Sequence, residues 1–175
     1  MIQLCTTYYS HLVGENYNNF IESLNFSSLS CSKCNYQGSC TRHAFYTRNI
    51  VTPTSKVSIR ILRVKCGQCN ATHALLPDWI VPYSQILLTD HLEIIKQYED
   101  GVSPHRITPS NPEIDTWTVV YIINQYLLHW QARLHSYSIS LSLPIKQFIA
   151  SCFKHHGRQF MQIKCTPNSL LTQTT

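Results

Sequence analysis

The sequence predicts an α+β protein in which an N-terminal zinc ribbon of β-hairpins is followed by a helical region. Three observations carry this. Two Cys-x-x-Cys pairs, Cys31 with Cys34 and Cys66 with Cys69, flank a stretch that alternates like paired strands. Beyond residue 79 the apolar residues recur at helical spacing. No Asp or Glu occurs from Asn25 to Pro77, a stretch that holds seven cations. With 175 residues, 43% of them hydrophobic and 13% charged, the chain is too apolar to stay disordered and long enough for one domain or two small ones.

Four segments follow. Residues 1–30 are polar, and Tyr17, Phe20, Ile21 and Leu24 predict a short helix over about 15–24 that packs on the next segment. Residues 31–78 are the ribbon. Phe45 to Val51 reads as a strand, Thr52-Pro53-Thr54-Ser55 as a turn, and Val57, Ile59 and Ile61 alternate with Ser58 and Arg60 on the return strand. Residues 79–138 are helical: one helix carries Leu87, Leu88, Leu92, Ile95 and Tyr98 and stops at Gly101. The next is capped by Asp115, stapled by Ile114 and Val119, and runs through Val120, Ile123, Leu127 and Leu128 as far as Leu134. Residues 139–175 hold a last helix with Pro144 at its start and a stripe of Ile145, Phe148, Ile149, Cys152 and Phe153. Gly157 closes it, a short extended piece runs from Arg158 to Cys165, and the tail frays.

Cys31, Cys34, Cys66 and Cys69 are the candidate metal ligands. Two residues between cysteines let both thiolates face one ion, and the 31-residue spacer suits a hairpin that brings the pairs together. One structural zinc ion is the expected cofactor, since four thiolates leave no open coordination position for water or substrate. A thioredoxin-like redox reading lacks its βαβ context. Cys40, His43 and His73 are competing ligands, read as packing or hydrogen-bonding residues when the four-cysteine site forms.

The acid-free stretch contributes seven cations, whereas the remainder has seven cations and nine acids, so the net charge of +5 concentrates around the cysteines. A one-sign block points to an anionic partner, and double-stranded DNA is the expected one. Arg48, Lys56, Arg60, Arg63 and Lys65 are the candidate phosphate contacts. A merely solvated basic surface is the competing reading.

Gly101-Val102-Ser103-Pro104-His105-Arg106-Ile107, followed by Asp115-Thr116-Trp117-Thr118-Val119-Val120, resembles the helix-turn-helix of bacterial insertion-sequence transposases. There a G-x-S-x-x-x-I segment opens the second helix, and a polar residue followed by Thr-Val opens the recognition helix. The cysteine region with His43-Ala-Phe-Tyr-Thr-Arg48 inside it looks like the ribbon that precedes such domains. His73-Ala-Leu-Leu-Pro77 and Gly157-Arg-Gln-Phe-Met-Gln-Ile163 resemble a family of short bacterial proteins associated with mobile elements. The resemblance implies a helix-turn-helix over 79–138 that reads DNA through Thr116, Thr118, Tyr121 and Gln125, as an accessory, regulator or truncated transposase N-terminal region, with a transposase or a second copy as partner. Two features depart from the pattern: the insert Thr108–Ile114, and the lack of Lys or Arg from Asp115 to Ala132. The alternative is a three-helix bundle in a zinc-stabilised protein-interaction adaptor.

No catalysis is expected. The nine acids read as helix ends and solvated faces, and no G-x-S-x-G, P-loop or H-E-x-x-H occurs. A catalytic fragment that works only beside a partner chain is the weaker alternative. No basic n-region precedes an apolar run at Met1-Ile2-Gln3-Leu4, and no stretch is apolar enough to span a bilayer, so a reducing, cytoplasmic setting without membrane contact is expected.

Overall fold

The computed structural model describes residues 1–4 and 13–156. The expected stop at Gly157 and the extended piece Arg158 to Cys165 lie outside the described residues. The chain forms two compact units, Met1–Leu87 and Leu88–Thr175.

The first unit is a four-stranded sheet with one helix. Its strands are β1 (Ile2–Leu4), β2 (Cys40–Val51), β3 (Lys56–Cys66) and β4 (Thr72–Pro77), in the order β1-β4-β3-β2. β2, β3 and β4 are antiparallel, and β1 joins β4 in parallel. The expected turn closes the β2–β3 hairpin: Thr52 N donates to Ser55 O at 2.9 Å, and the Thr52 hydroxyl donates to the same carbonyl at 2.8 Å. Both strands run longer than the apolar alternation indicated, because Thr41 to Arg48 pair with β3 although their side chains are largely exposed. β3 is central and buries residues on both faces, Ile59 and Ile61 on one, Leu62, Val64 and Cys66 on the other. Each fully buried aliphatic side chain there contributes roughly 1.5–3 kcal/mol.

Helix α1 (Val13–Glu22) buries Val13, Tyr17, Phe20 and Ile21, so the N-terminal aromatics do pack on the strands. Tyr17 does more than fill space. β3 and β4 pair only from Arg63 to Lys65 against Thr72 to Ala74. Just past that ladder, the Tyr17 hydroxyl accepts from Leu62 N at 2.8 Å and donates to Leu75 O at 3.1 Å. Two buried backbone groups that would otherwise lack a partner are thereby satisfied. Burial drives the Tyr17 phenol well above its ordinary value. Gln3 works similarly, its amide donating to the carbonyls of Pro77 and Ile80, each at 3.1 Å.

The second unit is helical: α2 (Leu88–Glu99), α3 (Thr116–His129), α4 (Gln131–Ser136) and α5 (Ile145–His156). α2 ends as its sequence requires. Gly101 has φ +90°, its amide donates to Tyr98 O at 3.0 Å, and Val102 N donates to Gln97 O at 3.0 Å, a complete Schellman stop. α3 begins at the expected cap, where the Asp115 carboxylate accepts from Thr118 N at 2.7 Å and Ile114 and Val119 are both buried. α5 buries Phe148, Ile149 and Cys152.

Four details differ from expectation. Residues 104–106, where the resemblance implies a second helix, form one 3-10 turn, with prolines at 104, 109 and 112 limiting propagation. The helix from Asp115 breaks at Trp130 rather than continuing to Leu134. Its buried face is Val119, Ile122, Ile123 and Tyr126, while Leu127 and Leu128 are exposed. α3 is apolar nearly all round, so periodicity alone does not select the face. Nor are the acids of α2 mere solvated charges. Asp90 is buried and accepts from Asn111 at 3.1 Å, and Glu93 accepts from Ser110 N and Oγ at 2.9 and 2.8 Å. Among the described residues no helix is long and apolar enough to cross a membrane.

Candidate metal centre

The two Cys-x-x-Cys turns are built alike. In the first, Asn35 N donates to Cys31 O at 2.9 Å and Cys31 N to Tyr36 O at 3.0 Å. In the second, Asn70 N donates to Cys66 O at 2.9 Å and Cys66 N to Ala71 O at 2.9 Å. The residue after each second cysteine is left-handed, Asn35 at φ 58° and Asn70 at φ 57°. Asn tolerates that conformation better than most side chains. The repeated C-x-x-C-N was thus a readable signal of two matching knuckles. Gly67 sits inside the second turn. Its amide donates to Ser39 O at 2.8 Å, and a Cβ there would stand 3.3 Å from that carbonyl. Gly67 therefore lets the β3–β4 turn press against the start of β2, where Cys40 pairs with Cys66.

This frame brings the four expected sulfurs together. The Sγ atoms of Cys31, Cys34, Cys66 and Cys69 all lie within 4.8 Å of one another. Cys31 and Cys69 are 3.6 Å apart and Cys34 and Cys66 are 3.8 Å apart. A tetrahedral ion with metal–sulfur bonds of about 2.3 Å separates its thiolates by about 3.8 Å, so the set fits a thiophilic divalent metal. Cys31 and Cys66 are fully buried, Cys69 is partly buried and Cys34 is exposed.

The electrostatics point the same way. At Cys66, the Ser39 hydroxyl, 3.1 Å from the sulfur, and the amides of Cys69 and Gln68 hold the thiol down to about 6 against burial. At Cys34 the Tyr36 amide pulls downward, but desolvation and the Cys69, Cys31 and Cys66 sulfurs push the thiol up to about 12. Burial opposes ionisation of Cys31, yet the Cys34 and Lys33 amides bring its thiol below the ordinary value. Four thiols so close cannot all ionise without a cation among them, and a bound divalent ion removes that conflict.

Of the competing ligands, His73 and Cys40 lie beside the sulfurs and His43 does not. His73 Nε2 is 3.2 Å from Cys31 Sγ, and its Nδ1 is 3.1 Å from the Ser32 hydroxyl. With Cys31 as a thiolate, the proton belongs on Nε2 and Nδ1 accepts from Ser32. Burial, with the N-terminal ammonium beside it, holds the imidazole below its ordinary value. His73 thus orients the Cys31 sulfur, and Ser39 the Cys66 sulfur, from outside the cluster. Cys40 is buried beside Cys66, its thiol pushed up by burial, and His43 is exposed at the β-bulge between Arg42 and Ala44. Sequence reading singled out neither Ser39 nor the orienting role of His73, because both depend on strand pairing.

The candidate phosphate-binding residues divide between the two faces of the sheet. Pairing and alternation put Lys56 and Arg60 on one face and Arg48, Arg63 and Lys65 on the other. Lys56 and Arg60 are exposed, and the Arg60 guanidinium lies 4.8 Å from the Phe45 ring. Arg42, not singled out from sequence, pairs with Val64 on that face and stacks 5.1 Å from Phe26. On the other face Arg48 is half-buried and donates to the carbonyls of Val81 and Ser84, so its guanidinium is engaged within the unit. Arg63 is exposed and donates to the Thr72 hydroxyl at 2.8 Å, and Lys65 is half-buried. On α3, Thr116 and Tyr121 are exposed, while Thr118 and Gln125 are half-buried.

Residues 31–117 match a family described as a domain of unknown function (DUF6431). The match spans both knuckles, β2 to β4 and α2, and stops in the first turn of α3. No curated protein and no solved structure matches the chain.

Proposed function

We propose that this chain is a non-catalytic DNA-binding protein whose four cysteines hold one structural zinc ion. In this reading the first unit is a zinc ribbon and the second a helix-turn-helix with a degenerate second helix. The chain serves a mobile element in the cytoplasm as a transposase-related accessory, regulator or truncated N-terminal region, alone or beside a transposase or a second copy. Zinc would supply cross-linking of the two knuckles and no chemistry on a substrate. One observation carries the DNA reading: Arg42, Lys56 and Arg60 are exposed side chains on one side of the sheet, two of them stacked on aromatic rings, within a stretch that contains no acid. Stacking pre-orders a guanidinium while leaving its N–H groups for phosphate oxygens.

A salt titration tests this. Duplex affinity should fall with log[salt] at a slope of about −0.9 per neutralised phosphate, and Lys56→Gln with Arg60→Gln should reduce the slope by about two units. Affinity should fall alike for every sequence. If no duplex binds at low salt and tens of micromolar protein, the reading fails. One observation favours the adaptor instead. Trp117 is 81% exposed, Tyr121 54% and Leu128 68%, on the α3 surface proposed to read bases. An exposed apolar stripe of this kind is more typical of protein contacts than of a major-groove helix.

A further inference from the structure

The face opposite Arg42, Lys56 and Arg60 carries a shallow cavity of about 500 Å³, lined in part by Tyr46, Arg48, Arg63, Thr72, Tyr83 and Gln85. Neither the cysteine cluster nor the proposed DNA face uses it. Its size lies within the range of small-ligand sites.

The construction of the rim is unusual. Tyr83 is 80% exposed, yet its backbone stands at φ 62°, a conformation that bulky side chains rarely adopt. Arg48 reaches from β2 to the carbonyls of Val81 and Ser84, which bracket Tyr83. Ser84 N closes the turn on Val81 O at 3.2 Å, and the Ser84 hydroxyl accepts from Ile86 N at 3.0 Å. A half-buried cation and a strained turn thus hold an aromatic ring out at the mouth of a cavity. Burial of that ring cannot be the reason, so the strain points to function. Tyr46 contributes a second ring on the lining, and Arg63 an exposed guanidinium with only one nitrogen engaged by Thr72 among the described hydrogen bonds.

We propose that this cavity binds a nucleoside phosphate unit, with the base against the Tyr83 and Tyr46 rings and the phosphate on Arg63. Aromatic platforms take any base, because every base has a π-face, and the planar guanidinium matches phosphate oxygens. Two sources share this chemistry: a free nucleotide, and an unpaired nucleotide at the end of a DNA duplex. The strand source deepens the DNA-binding reading and rests on it.

The test compares a blunt duplex with the same duplex carrying a short thymidine tail, using the full chain and fluorescence anisotropy, beside a titration with AMP followed by NMR. The tailed duplex should bind about tenfold tighter than the blunt one. Tyr83→Ala should remove that gain without changing blunt-duplex affinity or the thermal midpoint, and Tyr83→Phe should retain it. Tyr46→Ala provides a second variant outside the strained turn and should also lose the gain. Equal affinity for the two duplexes, with no AMP shifts, overturns the cavity assignment while leaving duplex binding in place. AMP shifts that vanish in Tyr83→Ala, in a chain that binds no duplex, support a free-nucleotide site and remove the DNA reading instead. A tail gain that survives both alanine variants overturns the proposal.

Discussion

The two units hold themselves together over very different sequence distances. In the first, Gln3 is bonded to Pro77 and Ile80, and Tyr17 to Leu62 and Leu75. In the second the spans are shorter: Gly101 caps α2, Asp115 caps α3, Glu93 reaches Ser110, and Glu99 reaches Tyr126 and Gln131. The first unit therefore pays a large loop-closure cost that a metal cross-link can offset, whereas the helical unit needs none. Dependence on metal should divide the molecule along that line.

The largest expected effect is the loss of metal. Structural zinc in knuckle peptides is worth about 10–16 kcal/mol, as much as a whole domain's net stability. Chelation, or Cys31→Ser, should therefore unfold the unit Met1–Leu87 while the amides of α2 to α5 keep their hydrogen-exchange protection. Element analysis should find about one zinc per chain beforehand. Loss of protection in both units together would show that the contrast is false, and indifference to chelation would remove the metal.

A smaller effect sharpens the comparison inside the first unit. Tyr17→Phe keeps the ring but leaves Leu62 N and Leu75 O without their bridging hydroxyl. Orphaning buried backbone groups should cost about 2 kcal/mol in urea unfolding followed through the sheet, with no change in the helical unit. A neutral result would mean that β3 and β4 close the gap by themselves.

The smallest effect is electrostatic and belongs to the helical unit. Thr118 holds the Asp115 carboxyl below the usual carboxylate range. A depressed folded value gives stability that is present above the unfolded pKa of about 4 and lost as pH falls through the folded one. Asp90 has the opposite sign: burial raises it, with Asn111 opposing and Glu93 adding, so stability present below its unfolded value is lost as pH rises through the folded one. Asp115→Asn, which keeps the cap, should flatten the acid limb of a pH–stability curve, and Asp90→Asn the limb above it. Unchanged curves would place the pH response elsewhere.

How much could be read in advance depends on how local each feature is, in either unit. Caps, stops and the β2–β3 turn were legible because each depends on a few adjacent residues: Asp115 and Thr118, Gly101, Thr52 to Ser55. The face of α3 was not, since its apolar residues encircle it and only packing chooses Ile122 over Leu128. β1 and β4 escaped notice for another reason: Ile2–Leu4 is too short to show alternation, and Thr72–Pro77 is a run whose partners lie elsewhere in the chain.

At the candidate site, the sequence by itself determined which four sulfurs could meet, because C-x-x-C spacing is a local geometric constraint repeated twice. It also determined that positive charge would concentrate in the stretch that holds the two pairs. Only the tertiary structure decided that His73 and Ser39 stand behind the sulfurs, that Arg48 is turned inward to hold the Tyr83 turn, and that the remaining cations divide between two faces. Those outcomes depend on strand register, and a shift of one residue would move every side chain to the opposite face.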